Sequence, residues 1–218
     1  MATVKPTQRS ATSRARGRPK DLDKRAAIMA SAKQLFARHG YSGVSMDAIA
    51  AHARVSKLTL YSHFKSKAAL FQTAVAEKCR DFTPPDFFDP DSPLPLRERL
   101  RIIGHGFMSL VMNDETLEFY RLLCAQGASG SRLGKLFFAA GPARNLSQMS
   151  GLLERADAAG ELRIADSADA AGHFFSLLQG IPHMKVLIGE GPRPTARQLR
   201  AHVHAVVDLF MRAYARET

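Results

Sequence analysis

The sequence predicts an all-α protein, and three observations predict it. Apolar residues recur at helical spacing from Asp23 to Ala215, and no alternating strand pattern of useful length occurs. Ser, Asp, Gly and Pro fall where such helices would start and stop. Five of the eleven prolines crowd into 83–95. No helix survives that density, so the chain splits into a short N-terminal head and a longer C-terminal bundle, about nine or ten helices in all. The expected division is 1–20, a basic flexible arm; 21–82, the head; 83–95, a connector; and 96–218, the bundle.

Residues 1–20 hold six Lys/Arg and no acidic residue, with too little apolar content to fold alone. Arg14, Arg16, Arg18 and Lys20 could follow a phosphate backbone or enter a minor groove, or belong to a solubilising tail. The first helix is expected at 23–39, capped by Asp23, with Ile28, Ala32, Leu35 and Phe36 inward and Gly40 as its left-handed C-terminal residue.

Ser45–Lys67 reads as two short helices with a tight break between them. Ile49, Ala50 and Ala53 share one apolar face, and Leu60 and Phe64 repeat at i, i+4 on the second piece. Ser45 and Ser56 stand where each helix start needs a side-chain acceptor. Helices this short need a packing partner. The pair suits a helix-turn-helix, whose second helix enters a major groove. Lys57, Thr59, Tyr61, Ser62 and His63 are its expected outward residues, all hydrogen-bonding or cationic. Ser66 can cap a fourth helix from about Lys67 to Asp81, and Lys67 in its first turn could hold a phosphate together with the helix dipole.

Beyond the connector, helices are expected at 96–112, 114–126, 132–140, 142–159, from 166 or 167 to the Gly189–Pro192 stop, and 195–215. Gly180-Ile181-Pro182 should kink or break the fifth of these, and Gly127–Gly130 is expected to be a loop. Phe82, Phe87 and Phe88 are expected to staple the connector to the bundle.

Composition narrows the function. A chain of 218 residues can bury roughly 70% of its unfolded surface without cross-links. Two cysteines, Cys79 and Cys124, make no disulfide framework and have no metal-ligand spacing, which suits a reducing cytoplasm. No apolar stretch reaches membrane-spanning length, so no membrane partner is expected. Residues 1–80 hold 16 Lys/Arg against 4 Asp/Glu, and residues 81–218 hold 15 against 16. All the excess positive charge lies in the half that carries the helix-turn-helix, as a polyanion bound at one end requires. No nucleophile elbow, Gly-rich phosphate loop, carboxylate cluster or metal-spaced His set occurs, which argues against an enzyme and against a cofactor. His202 and His204 do not share a helix face and so form no metal pair.

The runs Ala30–Ala50 and Val55–Phe71, taken together, resemble the N-terminal domain of TetR/AcrR-family transcriptional regulators. Leu58 stands where that family often has Gly, and Ala68 where Glu is common. The resemblance implies that Ser45 and Lys67 touch phosphate, that Lys57 and Thr59 reach base edges, and that Tyr61 and His63 meet the backbone or an adjacent base. Phe119–Leu123, Leu136–Arg144, Gly160–Arg163 and Ala170–Phe175 are similar to the C-terminal domain of AefR-like members. That likeness implies an effector-binding body that dimerises through its last two helices.

Candidate liners of a ligand pocket in that body are Phe107, Phe119, Tyr120, Cys124, Phe137, Phe138, Met149, His173, Phe174 and His183. Each has a plain core or structural alternative. The leading expectation is a ligand-responsive regulator, a repressor that binds a palindromic double-stranded DNA operator as a homodimer and is released by an unidentified small molecule. The alternative is a constitutive DNA-binding architectural protein on the same scaffold, without an effector.

Overall fold

The computed structural model describes residues 18–83, 85–126 and 132–216; the expected arm, save 18–20, and the 127–130 loop lie outside them. The described residues are helical throughout and contain no strand. The head comprises α1 (Arg18–His39), α2 (Met46–His52), α3 (Lys57–His63) and α4 (Lys67–Phe82). Ser45, Ser56 and Ser66 cap the last three, their hydroxyls accepting from the N–H groups of Ala48, Thr59 and Ala69. Asp23 is not a cap, because α1 begins at Arg18. Pro19 suits a first turn, where no intrahelical N–H is needed, and Asp21 there favours the dipole. Gly40 does end α1 in the left-handed region, at φ +67°. The α2–α3 turn passes through Arg54 at φ +53°, a conformation that costs a non-glycine residue energy.

The body follows as α5 (Leu96–Val111), α6 (Asp114–Gln126), α7 (Arg132–Ala140), α8 (Pro142–Ala158), α9 (Ser167–Ile188) and α10 (Ala196–Ala213). Asp166 caps α9, and Thr195 with Gln198 forms a reciprocal capping box on α10. α9 is bent at Gly180, whose φ of +38° and ψ of −151° leave helical space two residues before Pro182.

The connector is not wholly irregular, since Pro85–Phe88 forms one 3₁₀ turn. Its carbonyls are held by arginines of the body. Arg99 Nε donates to Phe87 O at 3.0 Å, its Nη2 to Asp89 O at 2.6 Å, and Arg155 Nη2 to Phe88 O at 2.8 Å. Phe88 is buried and Phe87 packs beside it on the body core. Phe82 instead lies under the Lys78 ammonium. The end of α4 abuts α5 so closely that a Cβ on Gly106 would lie 2.0 Å from Phe82 O. Only glycine permits that approach.

Two hydrophobic clusters result. One gathers Ile28, Phe36, Ile49, Leu60, Leu70 and Phe71 in the head; the other gathers Leu100, Ile103, Leu117, Met149, Phe174 and Phe210 in the body. They meet where Leu133 of α7 enters the head cluster and Phe119, Leu123 and Phe137 pack against it.

Candidate nucleic-acid interface and interior cavity

The reading face is built from the starts of α2 and α3. Ser45 is exposed although its hydroxyl serves the cap. Ser56 Oγ accepts from Thr59 N–H at 3.1 Å and lies 2.9 Å from Thr59 Oγ1, so the Thr59 hydroxyl is tied into the same cap. Lys57 is exposed, with Nζ 2.9 Å from Asp47 Oδ1. The hydrogen bond that Lys57 donates to the Asp47 carboxylate, together with that carboxylate's charge, raises the Lys57 pKa, so the ammonium stays charged. Tyr61 and Ser62 are exposed. Leu58 is 82% exposed, more than any other large apolar side chain among the described residues, and projects from the first turn of α3 between Lys57 and Thr59.

Two expected DNA-facing residues point elsewhere. His63 is not outward: its side chain is 11% exposed and Nε2 lies 3.1 Å from Asp21 Oδ1 on α1. Position 63 falls at the end of α3, where the helix turns back onto α1, and Leu60 one turn earlier is buried. Lys67 departs from the expected phosphate contact. Its Nζ donates to Tyr41 O and Val44 O, both at 2.9 Å, and sits 4.4 Å from the Tyr41 ring centroid. Two of the three ammonium donors are thus committed to bracing the loop that leads into α2.

A cavity of about 370 Å³ lies where head and body meet. Phe107, Phe119, Tyr120, Phe137 and Phe138 line it, as expected. The other five expected liners do not. Cys124 is exposed on α6 and is not part of the lining. Met149 and Phe174 are fully buried in the body cluster, Phe174 edge-on to Phe210. His173 is exposed and its Nδ1 is 2.8 Å from Tyr214 Oη. His183 is buried behind the Tyr120 ring. Among the described residues its Nε2 has no hydrogen-bond partner, and burial lowers its pKa, so the imidazole is held neutral.

Sequence reasoning missed other walls. Phe36 of α1 and Phe71 of α4 line the cavity while belonging to the head cluster. Phe175, Gln179 and Asn145 complete it from α8 and α9. Adjacent Phe174 and Phe175 take opposite duties, which a run of two aromatics cannot reveal. Cys79 also lines the cavity, and burial pushes its thiol up to about 11, so it is a small apolar group and not a nucleophile. Lys78 at the wall pairs with Glu115 at 2.7 Å, and Lys33 with Glu77 at 3.3 Å.

Among the described residues no group of His, Cys, Asp or Glu could hold a metal ion, and no helix is long and apolar enough to cross a membrane. A capped helix-turn-helix carried on a helical body is the architecture of DNA-binding regulators of transcription. Residues 28–74 match the bacterial regulatory proteins of the tetR family, and residues 98–216 match the C-terminal domain of AefR-like transcriptional repressors. The chain belongs to the TetR family, as its two resemblances implied.

Among its relatives is the HTH-type transcriptional repressor SCO4008 of Streptomyces coelicolor, 37% identical over 67 residues, which are 31% of this chain and 35% of that one. The match thus spans about a third of that relative's length. Solved structures agree over far more of the chain. A TetR-family regulator from Mesorhizobium loti is 25% identical with a TM-score of 0.71, covering 90% of this chain and 99% of that one. The flavonoid-responsive regulator FrrA is 29% identical with a TM-score of 0.68, covering 89% and 98%.

Proposed function

We propose that this protein is a ligand-responsive repressor that binds a palindromic operator as a homodimer and is released when a small molecule fills the cavity. The observation that carries the reading is the shared wall: Phe36 and Phe71 belong at once to the core of the reading head and to the lining of the cavity. An occupant that presses on them favours one placement of α1 and α4, and a ligand with unequal affinity for two placements shifts their populations. The volume is of the order that small-molecule sites require. It counts against the architectural alternative, which expects a body without such a space.

Lys57 and Thr59 are assigned to base edges, Ser45 to phosphate, and Tyr61 to the backbone. Leu58 adds an apolar projection, whose natural partner in a major groove is the thymine methyl group. The division into 21–82, 83–95 and 96–218 is supported by the two clusters and the arginine-held connector between them. A second copy is assigned to the outer side of α9 and α10, where Leu177, Ile181, Met184, Ile188 and Leu209 are exposed. Beyond the bend at Gly180, Ile181, Met184 and Ile188 recur at helical spacing, as one buried face would. Two heads on a two-fold axis would read half-sites about 34–36 Å apart. The names of SCO4008, a repressor, and FrrA, a flavonoid-responsive regulator, support the sign and the responsiveness.

The experiment is selection of randomised duplex DNA on the purified protein at near-physiological salt, with sedimentation of wild type and Ile181→Asp alongside. An enriched palindrome and a dimer that Ile181→Asp dissociates are expected. Binding only at low salt without enrichment would remove the operator reading.

A further inference from the structure

We propose that the cavity takes a neutral aromatic molecule bearing a hydroxyl or carbonyl group, seated against the ring-lined wall and held at that group by Asn145. This rests on the reading of the cavity as the effector site and names what would fill it.

The first argument is the wall. Phe36, Phe71, Phe119, Phe137 and Tyr120 form one unbroken run of ring contacts, with successive centroids 5.4, 5.6, 5.3 and 5.6 Å apart. Phe107 and Phe175, 4.6 Å apart, add a second ring pair. Every successive pair in these two sets is tilted or edge-on, so the lining rings do not share one plane and an aromatic guest can meet some of them edge to face. Aromatic pairs gain from edge-to-face and offset geometry beyond the area they bury. A flexible alkyl chain gains only the area, and must also give up its rotamers.

The second argument is charge. The cations on the wall are already matched: Lys78 by Glu115, and Lys33 by Glu77 and by Asp81 at 3.5 Å. A charged ligand would lose its hydration and find no uncompensated charge among the lining side chains, so the lining favours a neutral one.

The third argument is an orphaned amide. Asn145, in the first turns of α8, is only 7% exposed and lines the cavity. Its amide makes no hydrogen bond within the described residues and is open to the cavity rather than sealed in the core. The amide offers both donors and an acceptor to whatever enters the cavity. A hydroxyl or carbonyl arriving with the ligand would meet them. Gln179 lies beside the Tyr120 hydroxyl on the same cavity, and burial raises the Tyr120 pKa, so the phenol stays protonated as a further donor.

The test is titration calorimetry of the full chain with 4-hydroxybiphenyl, biphenyl and decan-1-ol, each repeated on Asn145→Leu and on Tyr120→Phe, with operator affinity measured in the presence of each probe. The expected result is one 4-hydroxybiphenyl per chain, bound about tenfold more tightly than decan-1-ol. Asn145→Leu should weaken 4-hydroxybiphenyl about tenfold while moving biphenyl less than twofold. Decan-1-ol binding as tightly as 4-hydroxybiphenyl, in wild type alone, would overturn the aromatic class. Equal losses for both biphenyls in Asn145→Leu would overturn the role of the amide, and Tyr120→Phe, which keeps the ring, would show whether the phenol holds the group instead. If decan-1-ol wins and still releases DNA, the effector reading stands and the aromatic one falls. If 4-hydroxybiphenyl binds as expected and operator affinity is unmoved, the aromatic site stands and the effector reading falls.

Discussion

Ser45, Lys57, Leu58, Thr59 and Tyr61 reach the surface from one short stretch of chain, whereas the cavity draws its walls from α1 and from every helix between α4 and α9. The first is polar and exposed and rests on caps made between neighbours in sequence. The second is apolar and tertiary, and no two adjacent helices would enclose it. The difference teaches that the head can lose or change a surface side chain without changing shape. A wall residue is also part of the packing that positions the head.

The sharpest way to break this contrast is to move from the surface of α3 to its inner side. Leu60→Ala should destabilise the protein by about 2–5 kcal/mol, because the side chain is fully buried. Phe138→Ala, at the half-open edge of the cavity, should cost less than about 1 kcal/mol. Thermal unfolding compares them, and equal shifts would mean that the edge of the cavity is as tightly packed as the head.

Lys67→Met comes next. Removing two charge-assisted hydrogen bonds should cost about 1.5–3 kcal/mol of stability. The dependence of DNA affinity on salt should keep its slope, since no phosphate contact is lost. A flattened slope with unchanged melting would return Lys67 to the phosphate contacts. Leu58→Ala should leave stability unmoved and lower operator affinity by about 0.8 kcal/mol, the value of one buried methyl-sized group. Replacing the contacted thymine by uracil should cost wild type the same and cost Leu58→Ala nothing further.

Acid should act on the body. His183 is held neutral by burial, and His105 by burial together with His204, Arg200 and Arg101. Both have folded pKa values below the unfolded value near 6.5, so the unfolded chain binds more protons. Stability should therefore be full above about pH 6.5 and fall as pH drops below it, and His183→Gln should flatten the fall in melting temperature. The smallest effect belongs to the turn: Arg54→Gly should stabilise by about 0.5–1 kcal/mol in denaturant titration by relieving a positive φ.

The head was legible in the sequence because its signals are local. A serine three residues before the N–H it serves is visible at Ser45, Ser56 and Ser66 without knowing the fold. Legibility ended where a second element decides. Asp23 lost its cap because the helix continues back to Arg18, and His63 lies inward because the end of α3 turns back onto α1. In the cavity, periodicity found aromatic helices but not which of their sides would meet. Phe137 and Phe119 met across α6 and α7, while Cys124 faced out and Phe174 went to α10. Asn145 gave no signal at all, since a lone amide near a helix start reads as surface.

The shared wall also constrains how this protein can diverge. Substituting Phe36 or Phe71 to suit a different occupant would open the packing that holds α2 and α3, so a change in ligand taste would arrive together with a change in grip on DNA. Phe138 and Gln179 lie outside both buried clusters and carry no such penalty. New chemical preferences are therefore most accessible from the α7 and α9 side, where variation can accumulate while the α1 and α4 side stays fixed.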